Sequence, residues 1–115
     1  MKELTVNIFE KLGSTAAVSS EDGEQLFGLI KKALNNNVLL TLDFNNIELI
    51  TSTFLNAAIG QLYNKFQSQF LRKHLRVENM DNDDLLLLKK VVDRAKDYFE
   101  NKKIVEDGIK EELNG

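Results

Sequence analysis

Three consecutive hydroxyl side chains, Thr51, Ser52 and Thr53, stand between an apolar segment and a helical pattern in ITSTFLNAAIG. The N-terminus of a helix leaves backbone N–H groups without partners, and its dipole favours negative charge. A phosphate on a serine in the first turn would be stabilised there, which makes Ser52 a candidate phosphoacceptor. The simpler interpretation is a helix cap at Thr51 or Ser52 with no further role, because Ser and Thr are common N-caps.

An aspartate, Asp43, follows the apolar run VLLTL in the segment TLDFNN. A carboxylate at the C-terminal end of a parallel strand lies where open α/β sheets hold their ligands. Asp43 is therefore a candidate site residue, for a partner protein or for a pocket that takes a small ligand or nucleotide. Aspartates also accept hydrogen bonds from the backbone of a following turn, which Asn45 and Asn46 signal here, and we favour this role.

No constellation of residues suited to catalysis is recognisable in the sequence. The chain has no cysteine and one histidine, His74, in the charged segment LRKHLR, where we expect a solvated helix end. The acidic run at 81–84 resembles the start of a calcium loop, but Leu86 and Val92 stand where glycine and glutamate are needed. A helix cap at Asp81 explains it better. With no glycine-rich phosphate loop either, we expect no enzyme activity, no metal and no cofactor.

The composition narrows the classes of partner. The formal net charge is −3, whereas non-specific binding to nucleic acid or anionic lipid needs a positive surface. No apolar run approaches the length of a membrane-spanning helix. The first residues, MKELTVNIFEKLG, lack the apolar core of a signal peptide. We expect a cytoplasmic protein that binds neither nucleic acid nor a membrane.

The apolar periodicity alternates between strand and helix patterns. Strands are predicted in LTVNIF, VLLTLDF and LRVEN, and the apolar run at 38–44 favours a central strand covered on both faces. GSTAAVSS and IELI are loops or very short strands. Helices are predicted after a cap at Ser20, over residues 54–70, and from Asp81 to about Phe99, with Lys102 and Lys103 just past that end.

This order of elements predicts one α/β domain over residues 1–115, with its core at about 3–100. The sheet should have about four mostly parallel strands with three main helices packed on it. Residues 101–115 should form a weak C-terminal tail or a short helix. The wide apolar stripe at 54–70 leaves homodimerisation open, since Phe66 and Phe70 could lie in the core, which we favour, or in an interface.

Two segments, VLLTLDFNNIELITSTFLNAAIGQLY and LRVENMDNDDLLLLKKVVDRA, resemble the STAS fold, the sulfate transporter and anti-sigma factor antagonist domain. More closely they are similar to the bacterial STAS-like domains of unknown function, over roughly residues 18–100. In the antagonists, the matching junction carries a serine that a kinase of the histidine-kinase ATPase fold phosphorylates, which breaks their complex. Ser52 falls on that serine. The flanking acid and glycine of the antagonists are replaced here by Thr51 and Phe54.

The resemblance implies a non-enzymatic regulatory domain that binds another protein, with a histidine-kinase-fold ATPase as one expected partner. Ser52 would be its switch, with Ser19 and Ser20 expected nearby across the sheet. The candidate partner-binding residues are Asp43, Asn45, Thr51, Thr53 and Asn56. The alternative function is a small-ligand or nucleotide sensor with its pocket near Asp43.

Overall fold

The structure is a computed structural model that describes residues 2–114, with side chains for residues 2–101. The chain forms five strands, five α-helices and one 3-10 helix within these residues. In chain order they are β1 (Glu3–Asn7), α1 (Ile8–Leu12), β2 (Ala16–Ala17), α2 (Ser20–Asn35), β3 (Leu39–Asp43), β4 (Leu49–Ile50), α3 (Ser52–Ala58), the 3-10 helix (Gly60–Asn64), α4 (Ser68–His74), β5 (Leu75–Glu78) and α5 (Asn82–Asn114).

All strand pairs that the structure describes are parallel, which confirms the predicted α/β class. Strand β3 is the centre of a three-stranded sheet of order β1-β3-β5, and β2 pairs with β4 in a separate two-stranded sheet. The prediction of about four strands in one sheet is corrected to five strands in two sheets. The difference arises because the two segments predicted to be loops or very short strands, GSTAAVSS and IELI, each contain a two-residue strand. These two strands pair with each other.

The central strand is fully covered on one face only. Leu40, Leu42 and Phe44 are buried against the helices, while Leu39 and Thr41 on the opposite face stay partly exposed. The register partners on that opposite face are exposed, among them Glu3, Thr5 and Arg76. The expectation of a strand covered on both faces was therefore wrong. The error follows from treating a continuous apolar run as evidence for two apolar faces, although Thr41 already interrupts it.

The cap of helix α2 lies one residue earlier than predicted, so the helix begins at Ser20 itself. The N-cap is Ser19, whose Oγ accepts a hydrogen bond from the Asp22 N–H at 3.1 Å. Gly23 is buried where α2 crosses α3, and a Cβ built on it would lie 2.6 Å from the Ala57 Cβ. A glycine that weakens an isolated helix thus permits the close approach of two helices.

The helix predicted over 54–70 is broken into α3, the 3-10 helix and α4. Sequence periodicity predicted one helix because the apolar stripe is continuous, but tertiary packing overrides it. Gly60 starts the 3-10 segment in the core, where its Cβ position lies 3.6 Å from Val91 and 3.9 Å from Ala95 of α5. Beyond the break, Phe66 and Phe70 stack on each other and pack against the core while staying partly exposed.

Helix α5 is longer than predicted, since its backbone is helical from Asn82 to Asn114. Residues 101–114 thus continue this helix, and Lys102 and Lys103 lie within it rather than past its end. Asp81 precedes α5, as predicted, and its carbonyl accepts the Leu85 N–H at 2.8 Å. Within the described part of the chain, every helix is too short or too polar to span a membrane.

Candidate functional site

Thr51 caps α3 and also ties that helix to the neighbouring strand. Its Oγ1 accepts a hydrogen bond from the Phe54 N–H at 3.2 Å and donates one to the Val18 carbonyl at 2.7 Å. Its backbone N–H donates to the Ala17 carbonyl at 3.2 Å. Of the two residues that could cap this helix, the structure selects Thr51, and its hydroxyl is fully engaged in holding the junction.

The other two hydroxyls of the cluster have no such role. Ser52 and Thr53 are the first two residues of α3, and their side chains make no hydrogen bond within residues 2–101. Thr53 is exposed and Ser52 is partly exposed. Asn56 is also exposed, and it lies on the same helical face because it is four residues after Ser52 and three after Thr53. Ser52, Thr53 and Asn56, which we call the α3 face, therefore form one outward surface.

The opposite side of α3 is anchored in the core. Phe54, Leu55 and Ala58 have no exposed surface. Such a side is close-packed, so the α3 face is presented from a fixed backbone. Phe54, which stands where the antagonists have glycine, is thus a core residue.

The two helices that follow the small sheet begin side by side. Ala17 of β2 pairs with Ile50 of β4, so Ser19 and Ser20 lie across from the start of α3, as expected. The Ser19 hydroxyl is occupied as the cap of α2, whereas Ser20 is exposed. Ser20 is therefore the hydroxyl of this pair that is not used as a cap.

Asp43 is held in a polar row at the C-terminal edge of the larger sheet. Its Oδ1 accepts hydrogen bonds from the Asn79 Nδ2 at 2.8 Å and from the Asn45 N–H at 2.9 Å. These two bonds, with a further contribution from Asn7, lower the pKa of Asp43 below its ordinary value, against a smaller opposing effect of burial. The turn role that the sequence favoured is confirmed by the bond to Asn45, and Asn7 and Asn79 are partners that sequence reasoning missed.

One sequence signal, the occurrence of polar residues at the ends of three strands, could have identified this polar row around Asp43. Asn7, Asp43 and Asn79 come at or just after the ends of β1, β3 and β5, and parallel strands bring their carboxyl ends to one edge. Asn79 also has φ of 60°, a conformation that asparagine tolerates better than most residues.

The predicted partner-binding residues fall into two groups. Asp43 and Asn45 belong to the polar row, while Thr51, Thr53 and Asn56 lie at the start of α3 with Ser52. Within residues 2–101 no hydrogen bond joins the two groups. They are connected through the turn at 44–47 and strand β4, which the Thr15 carbonyl holds by accepting the N–H groups of Glu48 and Leu49.

His74 is buried, which corrects the expectation of a solvated helix end. Its side chain is 5% exposed, with Nδ1 3.0 Å from the Phe70 carbonyl and Nε2 3.0 Å from the Asn37 Oδ1. Its ring stacks on Phe70 with centroids 4.0 Å apart. The charged neighbours Arg72 and Lys73 are exposed, so the segment is solvated except at this histidine. The partner Asn37 is 37 residues away, which is why local pattern did not reveal it.

The acidic run at residues 81–84 shows no metal-binding geometry. Burial raises the pKa of Asp84, and the neighbouring carboxylates of Asp81 and Asp83 raise it further. In the part of the chain with described side chains, no group of three or more histidine, aspartate or glutamate residues is arranged to hold a metal ion. The cluster is explained by its position at the start of α5, where acidic side chains offset the helix dipole.

Two cavities lie between α5 and the segment from the 3-10 helix through α4. The larger has a volume of about 640 Å³ and the smaller about 200 Å³. Neither is lined by Asp43 or by the α3 face. The pocket that the sequence placed near Asp43 is thus not one of these two.

The parallel sheets, the crossover helices and the hydroxyl junction before α3 define a small α/β domain of the STAS-like class. A family model described as "STAS-like domain of unknown function (DUF4325)" matches residues 22–85, which is more than half of the chain. The chain belongs to this family. Comparison with curated proteins and with solved structures gave no significant match.

Proposed function

We propose that the chain is a non-enzymatic regulatory domain that binds another protein through the α3 face, and that phosphorylation of Ser52 switches this binding. The observation that carries the proposal is that the hydroxyls of Thr51, Ser52 and Thr53 differ in their hydrogen bonding. Thr51 alone caps the helix and bonds Val18, which leaves the hydroxyls of Ser52 and Thr53 without a partner among the described residues. A junction that needed only a cap would be complete with Thr51.

The charge distribution favours a switch at this position. No charged residue occurs from Leu49 to Asn64, although 29% of the chain is charged. A phosphate would add about −1.5 to −2 charges to this uncharged segment near neutral pH. Because the buried side of α3 is fixed, the phosphate would change the charge of the surface without displacing the helix.

The resemblance to anti-sigma factor antagonists suggests the class of partner. In those domains the matching serine is phosphorylated by an ATPase of the histidine-kinase fold, so such an ATPase is the partner we propose here. Asp43 and Asn45 would extend the contact surface along the sheet edge, next to the turn that leads into β4. A cytoplasmic location is consistent with this role and is part of the proposal.

The test uses Ser52→Asp and Ser52→Ala in the full chain, and its binding probe is whichever histidine-kinase-fold ATPase a search of the neighbouring genes finds. We expect Ser52→Ala to bind like the wild type and Ser52→Asp to bind at least about tenfold more weakly, a change of about 1.4 kcal/mol. Asn101→Asp, at an exposed position on α5, adds a similar charge away from α3 and should leave binding unchanged.

Mass spectrometry after incubation with the ATPase and Mg-ATP should locate a phosphate on Ser52. Equal binding by all three variants would refute the switch, and a phosphate found only on another residue would refute Ser52 as its site. Binding that is lost equally in Ser52→Asp and Asn101→Asp would point to net charge rather than to the α3 face.

A further inference from the structure

The larger cavity has the size of a small-molecule site. It lies between residues 63–69 and residues 96–100 of α5, and its volume of about 640 Å³ falls within the range of about 300–1,000 Å³ that ligand pockets occupy. It lies beside the segment in which the helix predicted at 54–70 is interrupted. The smaller cavity shares Tyr63, Ser68 and Lys96 with it, so open space continues along α4.

The walls combine aromatic rings with positive charge. The rings belong to Tyr63, Phe66 and Phe99, all of them partly exposed. Among the residues with described side chains, the charged groups of the lining are the two ammonium groups of Lys65 and Lys96 and one carboxylate, that of Glu100. These three groups carry a formal charge of +1, in a chain of net charge −3. Aromatic faces accept planar rings, and ammonium groups attract anions.

One aromatic wall is held rigidly in place. Phe66 stacks on Phe70 with centroids 5.4 Å apart and an angle of 11° between the rings, and Phe70 stacks in turn on His74. The buried His74 is fixed at both ring nitrogens by Phe70 and Asn37. A wall that is ordered before a ligand arrives loses little conformational entropy on binding.

The lining also places a cation beside an aromatic hydroxyl, between Lys96 and Tyr63. The Lys96 Nζ lies 5.9 Å from the centroid of the Tyr63 ring, a cation–π contact. Burial raises the pKa of Tyr63, so its phenol stays protonated and can donate a hydrogen bond. The nearby Arg72 acts in the opposite direction on that pKa, and Asp93 in the same direction.

We propose that this cavity binds a small planar anion, an aromatic or heteroaromatic ring that carries a carboxylate or phosphate group. The ring would lie against the aromatic walls, and the anionic group would pair with Lys96 or Lys65. No residue of the α3 face, which includes Ser52, lines this cavity. The proposal is therefore tested independently of the regulatory function proposed above.

The probes are adenosine 5′-monophosphate and 4-hydroxybenzoate, titrated to millimolar concentration into the ¹⁵N-labelled full chain. Adenosine and 4-hydroxybenzyl alcohol are their uncharged counterparts. We expect saturable amide shifts centred on residues 63–69 and 96–100, with the anion bound about tenfold more tightly than its neutral counterpart, as expected for one charge-assisted contact. Binding of the nucleotide alone identifies a phosphate ligand, and binding of the benzoate alone identifies a carboxylate.

Lysine variants on the same scaffold separate the cavity from general surface charge. Lys96→Gln should weaken anion binding about tenfold, whereas Lys90→Gln, at an exposed position of α5 outside the cavity, should leave it unchanged. Lys65→Gln, at an exposed position on the facing segment, provides a second variant should Lys96→Gln disturb the fold. The absence of saturable shifts with both anions would overturn the proposal. Equal losses in Lys96→Gln and Lys90→Gln, or shifts centred elsewhere, would overturn it as well.

Discussion

Two glycines of α2 provide a matched test of how the α3 face is positioned. A Cβ on Gly23 would lie 2.6 Å from the Ala57 Cβ, 2.7 Å from the Phe54 carbonyl oxygen and 3.2 Å from the Ala58 nitrogen. Two of these three atoms belong to the backbone, so no change of rotamer can make room and α2 must move away from α3. A Cβ on Gly28 of the same helix would meet nothing within 4 Å.

The two glycine-to-alanine variants should therefore change stability in opposite directions. An alanine within a helix gains about 1 kcal/mol over glycine, so Gly28→Ala should raise the free energy of unfolding by up to about 1 kcal/mol. Gly23→Ala has the same gain but adds an overpacking penalty of about 1–3 kcal/mol, increased here by the rigid neighbours. We expect a net loss of about 1–2 kcal/mol for Gly23→Ala, and a gap between the variants of about 2–3 kcal/mol.

Urea unfolding followed by circular dichroism measures this gap. The midpoints should separate while the slope stays constant, since neither variant alters the surface exposed on unfolding. Equal midpoints for Gly23→Ala and Gly28→Ala would refute the close crossing of α2 and α3. A Gly23→Ala variant that is more stable than the wild type would refute it too.

Three further changes test other contacts. Thr51→Val should lower the free energy of unfolding by about 1–2 kcal/mol in urea unfolding, because the cap and the bond to Val18 are lost, while Thr51→Ser should keep most of both. The lowered pKa of Asp43 stabilises the fold above the ordinary value of 3.8, and this contribution is lost as pH falls through the folded-state pKa. Urea unfolding across that pH range should show that Asp43→Asn loses less of its free energy of unfolding on acidification than the wild type does. An equal loss in the two proteins would contradict the assignment. His74→Ala should cost about 2–4 kcal/mol in thermal unfolding, and a cost near zero would contradict its burial.

The parts of the fold that the sequence predicted correctly are those determined by neighbours along the chain. The central strand, predicted over 38–44, spans Leu39–Asp43 and is followed by the predicted turn at 45–46, and Thr51 was one of the two predicted caps of α3. The start of α2 was one residue off because Ser19 and Ser20 are equivalent hydroxyls in the sequence, and only Ser19 has the extended backbone of a cap. Local chemistry fixes such features, so a single sequence reveals them.

The features that the sequence missed depend on residues far apart in the chain. The bond between Asp43 and Asn79 spans 36 residues, and that between His74 and Asn37 spans 37. The break after Ile59 was also invisible, because an apolar stripe does not show which partner each of its residues will face. Gly60 packs against α5, whereas Phe66 and Phe70 stack on each other beyond the break. These different packing partners become visible only when α5 is in place.

The same break keeps the two proposed sites apart. Helix α3 ends at Ala58, before the 3-10 helix that leads to the cavity, and Phe54, Leu55 and Ala58 hold it in the core with no exposed surface. Packed cores resist small continuous displacements, so a charge placed on Ser52 should remain a surface event. Ser52→Asp should therefore leave the affinity of the cavity for its anion unchanged, as measured by the amide shifts of residues 63–69. A loss of that affinity in Ser52→Asp would show that α3 moves as a unit with the 3-10 helix. The two sites would then be energetically coupled.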